Sequence, residues 1–332
     1  MMEKVELKKL IYQPSTQTMM QDDKTTIANS GSFVLATKVK DYFLLIKFTL
    51  SFMVVFSTVV SFLIAPNEII YVRSKIISVL LLFIGGMLIT GSANAINQVI
   101  EKDTDALMKR TANRPVASGR MSAAEASTFA VITGVIGLFI YAYWFNYQSA
   151  LVSLFSLLLY GFVYTPLKKV NSVAVLVGAI PGALPCLIGW VAATDEVFGI
   201  GGLGGWILFG IQFLWQFPHF WAIAWLAHQD YTTAGFKLLP GDKGPTKFTA
   251  LQTIIYSAMM IPFGMLPYFA GMIDTGTRGI ICTGVLFFCN LWMVFVSVLL
   301  FINMDVKSAR RVMFSSYFYL MIVLLALFVA KV

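Results

Sequence analysis

Charge is scarce in this sequence. Asp, Glu, Lys and Arg make up 12% of its 332 residues, whereas hydrophobic residues make up 58%; soluble domains carry about 25% charged residues. That shortage excludes a soluble globule, which could not hide so much apolar surface, and leaves lipid as the solvent. Cysteine is also rare. Cys186, Cys282 and Cys289 all fall in apolar runs, and no pair has the spacing of a zinc or redox motif. They are expected to be packing residues. The net charge of +8 is then no nucleic-acid footprint, because Lys and Arg in such a chain chiefly mark cytoplasmic loops. The first 40 residues are polar and lack the apolar core of a signal peptide, so no cleavable signal is expected. Residues 1–41 read as a flexible cytoplasmic tail rich in Ser, Thr, Gln and Lys, and 42–332 as one intramembrane domain.

What is abundant is apolar runs of spanning length. Nine can be drawn, at about 42–64, 77–99, 122–145, 149–166, 171–193, 202–227, 248–270, 279–302 and 312–330. The fold class is therefore all-α, polytopic and membrane-embedded. With the N-terminus inside, the inside loops hold thirteen basic residues: Lys102, Lys109, Arg110, Arg114, Arg120, Lys168, Lys169, Lys237, Lys243, Lys247, Lys307, Arg310 and Arg311. The outside loops hold Arg73, Lys75 and Arg278. This bias predicts an N-in, C-out topology. The long polar inside loops 100–121 and 228–247 follow runs four apart, which hints at a parallel repeat of four helices plus one.

Two constellations carry chemistry. Asn97, Glu101 and Asp105 recur at i, i+4, i+8 where the second run leaves lipid. At about 100° per residue they share one helix face. Three stacked oxygen donors suit a hard cation such as Mg²⁺, whose other positions are commonly filled by water and phosphate. The bland alternative is a solvated loop, but Asn94 and Asn97 still lie at membrane depth, where polar residues are functional by default. Asp103 lies off the stripe, where Lys102 or Arg110 could pair with it. The cations Lys109, Arg110 and Arg114, and Lys168 with Lys169 after Tyr164-Thr-Pro, have two readings: topology determinants, or partners for anionic oxygens beside the metal. The second constellation is Gln212, Gln216, His219 and Asp230, which fall within roughly 60° of one another on a helical wheel. They form a polar stripe down a Trp-rich helix, with His219 roughly 16 Å deeper than Asp230 if Pro218 leaves the helix unbroken. Such a stripe suggests a lined cavity; a satisfied structural histidine is the alternative. Trp215, Trp221 and Trp225 are expected mostly to pack or to sit at the lipid interface, with cation shielding as their other use.

On these residues the chain resembles the UbiA-type intramembrane prenyltransferases. The resemblance covers about 42–330, on Asn97-Gln-Val-Ile-Glu-Lys-Asp-Thr-Asp through Arg114-Pro115, Tyr164-Thr-Pro-Leu-Lys-Lys169, Pro181-Gly-Ala-Leu-Pro-Cys-Leu-Ile-Gly-Trp190, and Trp215-Gln-Phe-Pro-His-Phe-Trp through Asp230-Tyr231 to Leu239-Pro240. The last segment is the most specific and points to the haem-farnesylating branch. The resemblance implies nine helices around a cavity open to lipid, in a bacterial inner membrane with the site on the cytoplasmic side. It implies Mg²⁺ held by Asn97, Glu101, Asp105 and Asp230, farnesyl diphosphate and protohaem IX as substrates, and haem A synthase or oxidase assembly factors as partners. Asn97, Glu101, Asp105, Arg114, Lys168, His219 and Asp230 take catalytic roles by this resemblance, and Lys109, Arg110, Tyr164, Lys169, Gln212 and Gln216 binding roles. Glu101 stands where the superfamily motif has its middle Asp, a tolerable change for an oxygen ligand; of the second motif Asp230 matches the last Asp, and Leu226 occupies the first position. An aromatic or quinone-precursor acceptor is the alternative within the family, and a transporter the alternative outside it.

Overall fold

The computed structural model describes residues 37–66, 74–241 and 244–332. The expected tail over 1–36, Arg73 and Lys243 lie outside them. The chain divides into two units, Met1–Leu44 and Leu45–Val332. The helix α1, Thr37–Leu45, begins within the segment expected to be tail. The second unit runs α2 (Phe48–Ile64), α3 (Lys75–Ile100), α4 (Lys102–Leu107), α5 (Ala123–Ile140), α6 (Tyr147–Leu158), α7 (Ala174–Thr194), α8 (Leu203–Leu226), α9 (His228–Thr233), α10 (Lys247–Phe269), α11 (Thr277–Asn303) and α12 (Val306–Ala330). Single π-helical segments, Tyr141–Phe145 and Leu159–Tyr164, extend α5 and α6. Among the described residues, eight spans are long and apolar enough to cross a membrane, and α1 with α2 supplies a ninth if counted as one. The fold is all-α among the described residues, apart from one isolated β-bridge, Ile273 to Lys331.

Four of the helices begin where a side chain caps them. Ser122, Asn146, Thr246 and Asp305 each accept the backbone N–H three residues on, satisfying a donor that the helix itself cannot. The cap at Asp305 explains why α12 starts at Val306 rather than near 312: a polar first turn holding Lys307, Arg310 and Arg311 is helical although it is not apolar. Conversely, the first expected run is broken. Lys47 adopts left-handed dihedrals, φ 48° and ψ 57°, which cost a non-glycine residue roughly 1–3 kcal/mol.

Neighbours in space follow the order α2, α3, α5, α6, α7, α8, α10, α11, α12, and α12 returns to α2. Helices α7 and α8 are the most deeply buried spans. Gly189 lets α7 lie directly on the backbone of α2, since a Cβ there would overlap Thr58 O. Prolines do not break these spans. Pro218 sits inside a continuous α8, so it does not break the helix. In α7, Pro185 cannot donate to Pro181 O, and Ser156 Oγ of α6 donates to that carbonyl at 3.3 Å. The cysteines pack as expected: Cys186 and Cys282 are buried and all three are free.

Candidate functional site

The end of α3 is where charge gathers. Asn97, Glu101 and Asp105 are all buried, and each meets a different partner. Lys47 Nζ donates to Asn97 Oδ1 at 2.7 Å. Lys168 Nζ donates to Glu101 Oε1 at 2.8 Å. Arg114 Nη1 donates to both Asp105 oxygens, at 2.7 and 2.6 Å. Asn97 Nδ2 in turn donates to Thr165 Oγ1 at 3.2 Å. The expected single helix is interrupted at Glu101, where α3 ends and α4 begins, but i→i−4 backbone bonds bridge the junction, and each rung carries a cationic donor drawn from a different segment. Lys47 is a member of this row that sequence reasoning passed over. Its signal was a lysine inside an otherwise apolar run; the break at Ile46–Lys47 turns it onto Asn97.

The other cations divide. Lys168 is buried and Arg114 half-buried, while Lys109, Arg110 and Lys169 are exposed. Arg110 Nη2 donates to Tyr231 Oη at 3.3 Å. Asp103 is exposed and pairs with neither Lys102 nor Arg110 among the described residues. Lys168 Nζ stands 4.6 Å from the centre of the Tyr164 ring and 5.7 Å from that of Phe236, and its carbonyl accepts from Lys237 N at 2.8 Å. Phe236, Ala234 and Met108 form a small buried cluster. Thus the two long loops meet, and each opens on a six-residue helix, α4 or α9.

Below the rungs lies an apolar cavity walled by α2, α3, α6, the two π segments and α7. Its lining includes Val54, Thr58, Asn94, Tyr160, Pro185 and Ile188. The orientation of the Asn94 amide is fixed by its neighbours: Nδ2 donates to Ile46 O and to Ser51 Oγ, and Ser51 already spends its own hydrogen on Ile46 O. Asn94 Oδ1 is left without a partner among the described residues.

The α8 stripe goes elsewhere. Gln212, Gln216 and His219 are buried, but none lines this cavity. Gln212 Nε2 donates to Gly182 O and accepts from Cys186 Sγ through Oε1; Gln216 Nε2 donates to Ala179 O. Both therefore bind α7 to α8. His219 turns to α12, with Nδ1 2.8 Å from Ser316 Oγ. That hydroxyl donates to Met313 O at 2.6 Å, which makes Nδ1 the donor and leaves Nε2 the unprotonated nitrogen. The ring stacks on Trp215 at 4.9 Å and meets the edge of Tyr317 at the same distance. The expected lined cavity is thus corrected: a wheel assigns residues to a face but not the neighbour that face meets. Trp215, Trp221 and Trp225 are all buried packing residues. Asp230, half-buried on α9, forms no ion pair among the described residues.

No three or more His, Cys, Asp or Glu side chains converge on one point among the described residues. A Mg²⁺ ion is commonly bound through one or two carboxylates, with phosphate and water completing its shell. Glu101, Asp105 and Asn97 fit that donor set.

Residues 54–329 match the UbiA prenyltransferase family. The protoheme IX farnesyltransferase of Cytophaga hutchinsonii is 40% identical over 301 residues, covering 90% of this chain and all of that one. Among solved structures, a digeranylgeranylglyceryl phosphate synthase superposes with a TM-score of 0.71 at 20% identity, covering 89% of this chain and 98% of its own. A UbiA homolog from Archaeoglobus fulgidus, bound to GPP and Mg²⁺, superposes with a TM-score of 0.59 at 18% identity, covering 86% and 99%.

Proposed function

Because this chain belongs to the UbiA prenyltransferase family, we propose that it transfers the farnesyl group of farnesyl diphosphate to a vinyl carbon of protohaem IX, giving the hydroxyethylfarnesyl product, haem O. It is an integral membrane prenyltransferase. Protohaem as acceptor is suggested by the names of its relatives. We place the site at the cytoplasmic face of a bacterial inner membrane, on the basic bias of the loops at that end.

The observation that carries the reading is the row of buried pairs, Asn97–Lys47, Glu101–Lys168 and Asp105–Arg114, above an apolar cavity. The row presents carboxylate and cation together, which is what a metal-bound diphosphate needs. We assign Asn97, Glu101 and Asp105 to the metal, with Asp230 the nearest candidate on α9 for a second. Mg²⁺, when bound, supplies Lewis-acid neutralisation of the diphosphate. Lys47, Arg114 and Lys168 release their carboxylate and amide partners and turn to phosphate oxygens. The C1–O bond of the donor breaks, and its electron pair leaves with the diphosphate into that cationic row. The cavity holds the allylic cation away from water, and its C1 takes the electron pair of the haem vinyl group. The cation then formed beside the porphyrin adds water and loses a proton. Asn94 Oδ1, buried and without a partner, is an acceptor for that water. His219, with Nε2 unprotonated, is kept on the acceptor side, as iron ligand or water holder.

The test is direct: purified protein, protohaem, farnesyl diphosphate and Mg²⁺ should yield haem O by mass spectrometry. Prenylation of an aromatic acid with no haem product would overturn the acceptor assignment.

A further inference from the structure

A second feature lies outside the site, between α11 and α12. These antiparallel spans leave a groove on the outer face of the second unit. Its apolar walls are Phe288, Trp292 and Phe295 of α11 and Phe314, Phe318 and Ile322 of α12. All six are exposed, so in the membrane they face lipid. One end of the groove carries three cations, Lys307, Arg310 and Arg311. All three are exposed, and none has an ion-pair partner among the described residues.

Two physical points make this more than a greasy seam. The cations occupy the first two turns of α12, the end whose own dipole is positive, so they raise a potential that already repels them. One carboxylate is adjacent: Asp305 caps the helix, accepting Ser308 N at 2.7 Å, and its single charge is felt by Lys307 and Arg311 without an ion pair to either. Three cations beside one carboxylate leave net positive charge, which an anion from outside the chain would offset. The second point is length. From Lys307 to Ile322 the groove runs roughly 22 Å at the helical rise, with the cations over the first quarter and apolar wall beyond. One bilayer leaflet has about 15 Å of hydrocarbon below its headgroups, so headgroup and acyl chains meet cations and aromatics in register.

We propose that this groove is a binding site for one anionic phospholipid, its phosphate held by Lys307, Arg310 and Arg311 and an acyl chain laid between α11 and α12. A zwitterionic lipid fits the same walls, but its choline offsets the phosphate charge that the cations require. Selectivity for net negative headgroups is therefore the signature.

The full-length protein in detergent is mixed with phosphatidylglycerol or phosphatidylcholine, and retained lipid is counted by native mass spectrometry. We expect phosphatidylglycerol to be retained preferentially, and Arg310→Gln and Arg311→Gln each to weaken that retention roughly five-fold. Arg278→Gln, at the other end of α11, should leave it unchanged. Equal retention of the two lipids, or parent-like retention in both variants, overturns the proposal. An independent readout needs no charge substitution. Brominated phosphatidylglycerol should quench the parent's tryptophan fluorescence more than brominated phosphatidylcholine does, and Trp292→Phe should abolish the difference. Equal quenching by the two lipids overturns the site. Displacement of phosphatidylglycerol by stoichiometric protohaem would assign the groove to the porphyrin and overturn the lipid assignment.

Discussion

Glu101 and Asp105 each answer to one cation in this structure, and that pairing sets what their variants should do. Glu101→Gln and Asp105→Asn keep shape and one carbonyl acceptor but remove a charged ligand, and Asp105→Asn also removes one of the two oxygens that accept from Arg114. Turnover should fall about 10²-fold or more, as when a group stabilising transition-state charge is deleted, with helical content and membrane insertion intact. Near-normal activity at limiting Mg²⁺ would refute the ligand assignment. Lys168→Ala, Arg114→Ala and Lys47→Met act on the same donor half, through its phosphate oxygens. Each should weaken binding of a non-hydrolysable farnesyl diphosphate analogue while haem affinity stays within about two-fold, since a lost charge-assisted contact costs about 1.5–3 kcal/mol. Selective loss of haem binding would contradict this. His219→Ala should do the reverse, weakening haem binding and shifting the bound-haem absorption while donor titration stays parental. The acidic stripe was legible in the sequence because i, i+4, i+8 spacing follows the helical repeat, which the backbone bonds carry across the break at Glu101 from α3 to α4. Its partners were only partly so: Glu101 and Lys168 are 67 positions apart, and only packing brings them together. The Gln212, Gln216 and His219 face was legible too, but its destination was not, because neighbouring α7 and α12 could both receive it.

Among the elements, the π segment Leu159–Tyr164 is the one that delivers a residue to the site. It ends on Tyr164, whose ring packs against Gly178 of α7 so closely that a Cβ there would overlap it. Gly178→Ala should push the ring off Lys168, losing a cation–π contact of about 0.5–2 kcal/mol. The expected outcome is weaker donor binding with a nearly parental thermal midpoint; a large stability loss with unchanged donor affinity would show that Tyr164 only packs. The spans themselves were legible almost to their ends, since a run of about 20 apolar residues admits little but a helix in lipid. Errors fell where polarity and helicity part company. Val306–Arg311 is helical and charged, behind its Asp305 cap. Around Lys47 the run is apolar but the helix is broken.

Taken whole, the second unit is organised about two ends of unlike character. One carries the paired loops, the exposed cations and α4 and α9, two matching short helices four spans apart, which agrees with the repeat suggested by loop spacing. We predict that cysteines placed at Arg120 and Arg278 will be labelled by impermeant thiol reagents from opposite sides of sealed vesicles, Arg278→Cys from outside; labelling of both from one side would refute the topology. The other end is fastened. Asp274 N donates to Ala330 O at 2.8 Å beside the Ile273–Lys331 bridge, and Lys331 Nζ donates to Leu63 O at the close of α2, 268 positions away. A ring of helices tied at its base and joined by loops at its rim behaves like a purse: any widening that admits a chain or a porphyrin must be made at the rim, with the fastening as its pivot. Cutting the tie should therefore cost stability before it costs recognition. Deleting Lys331 and Val332 should lower the thermal midpoint while leaving donor affinity at the rim as it was.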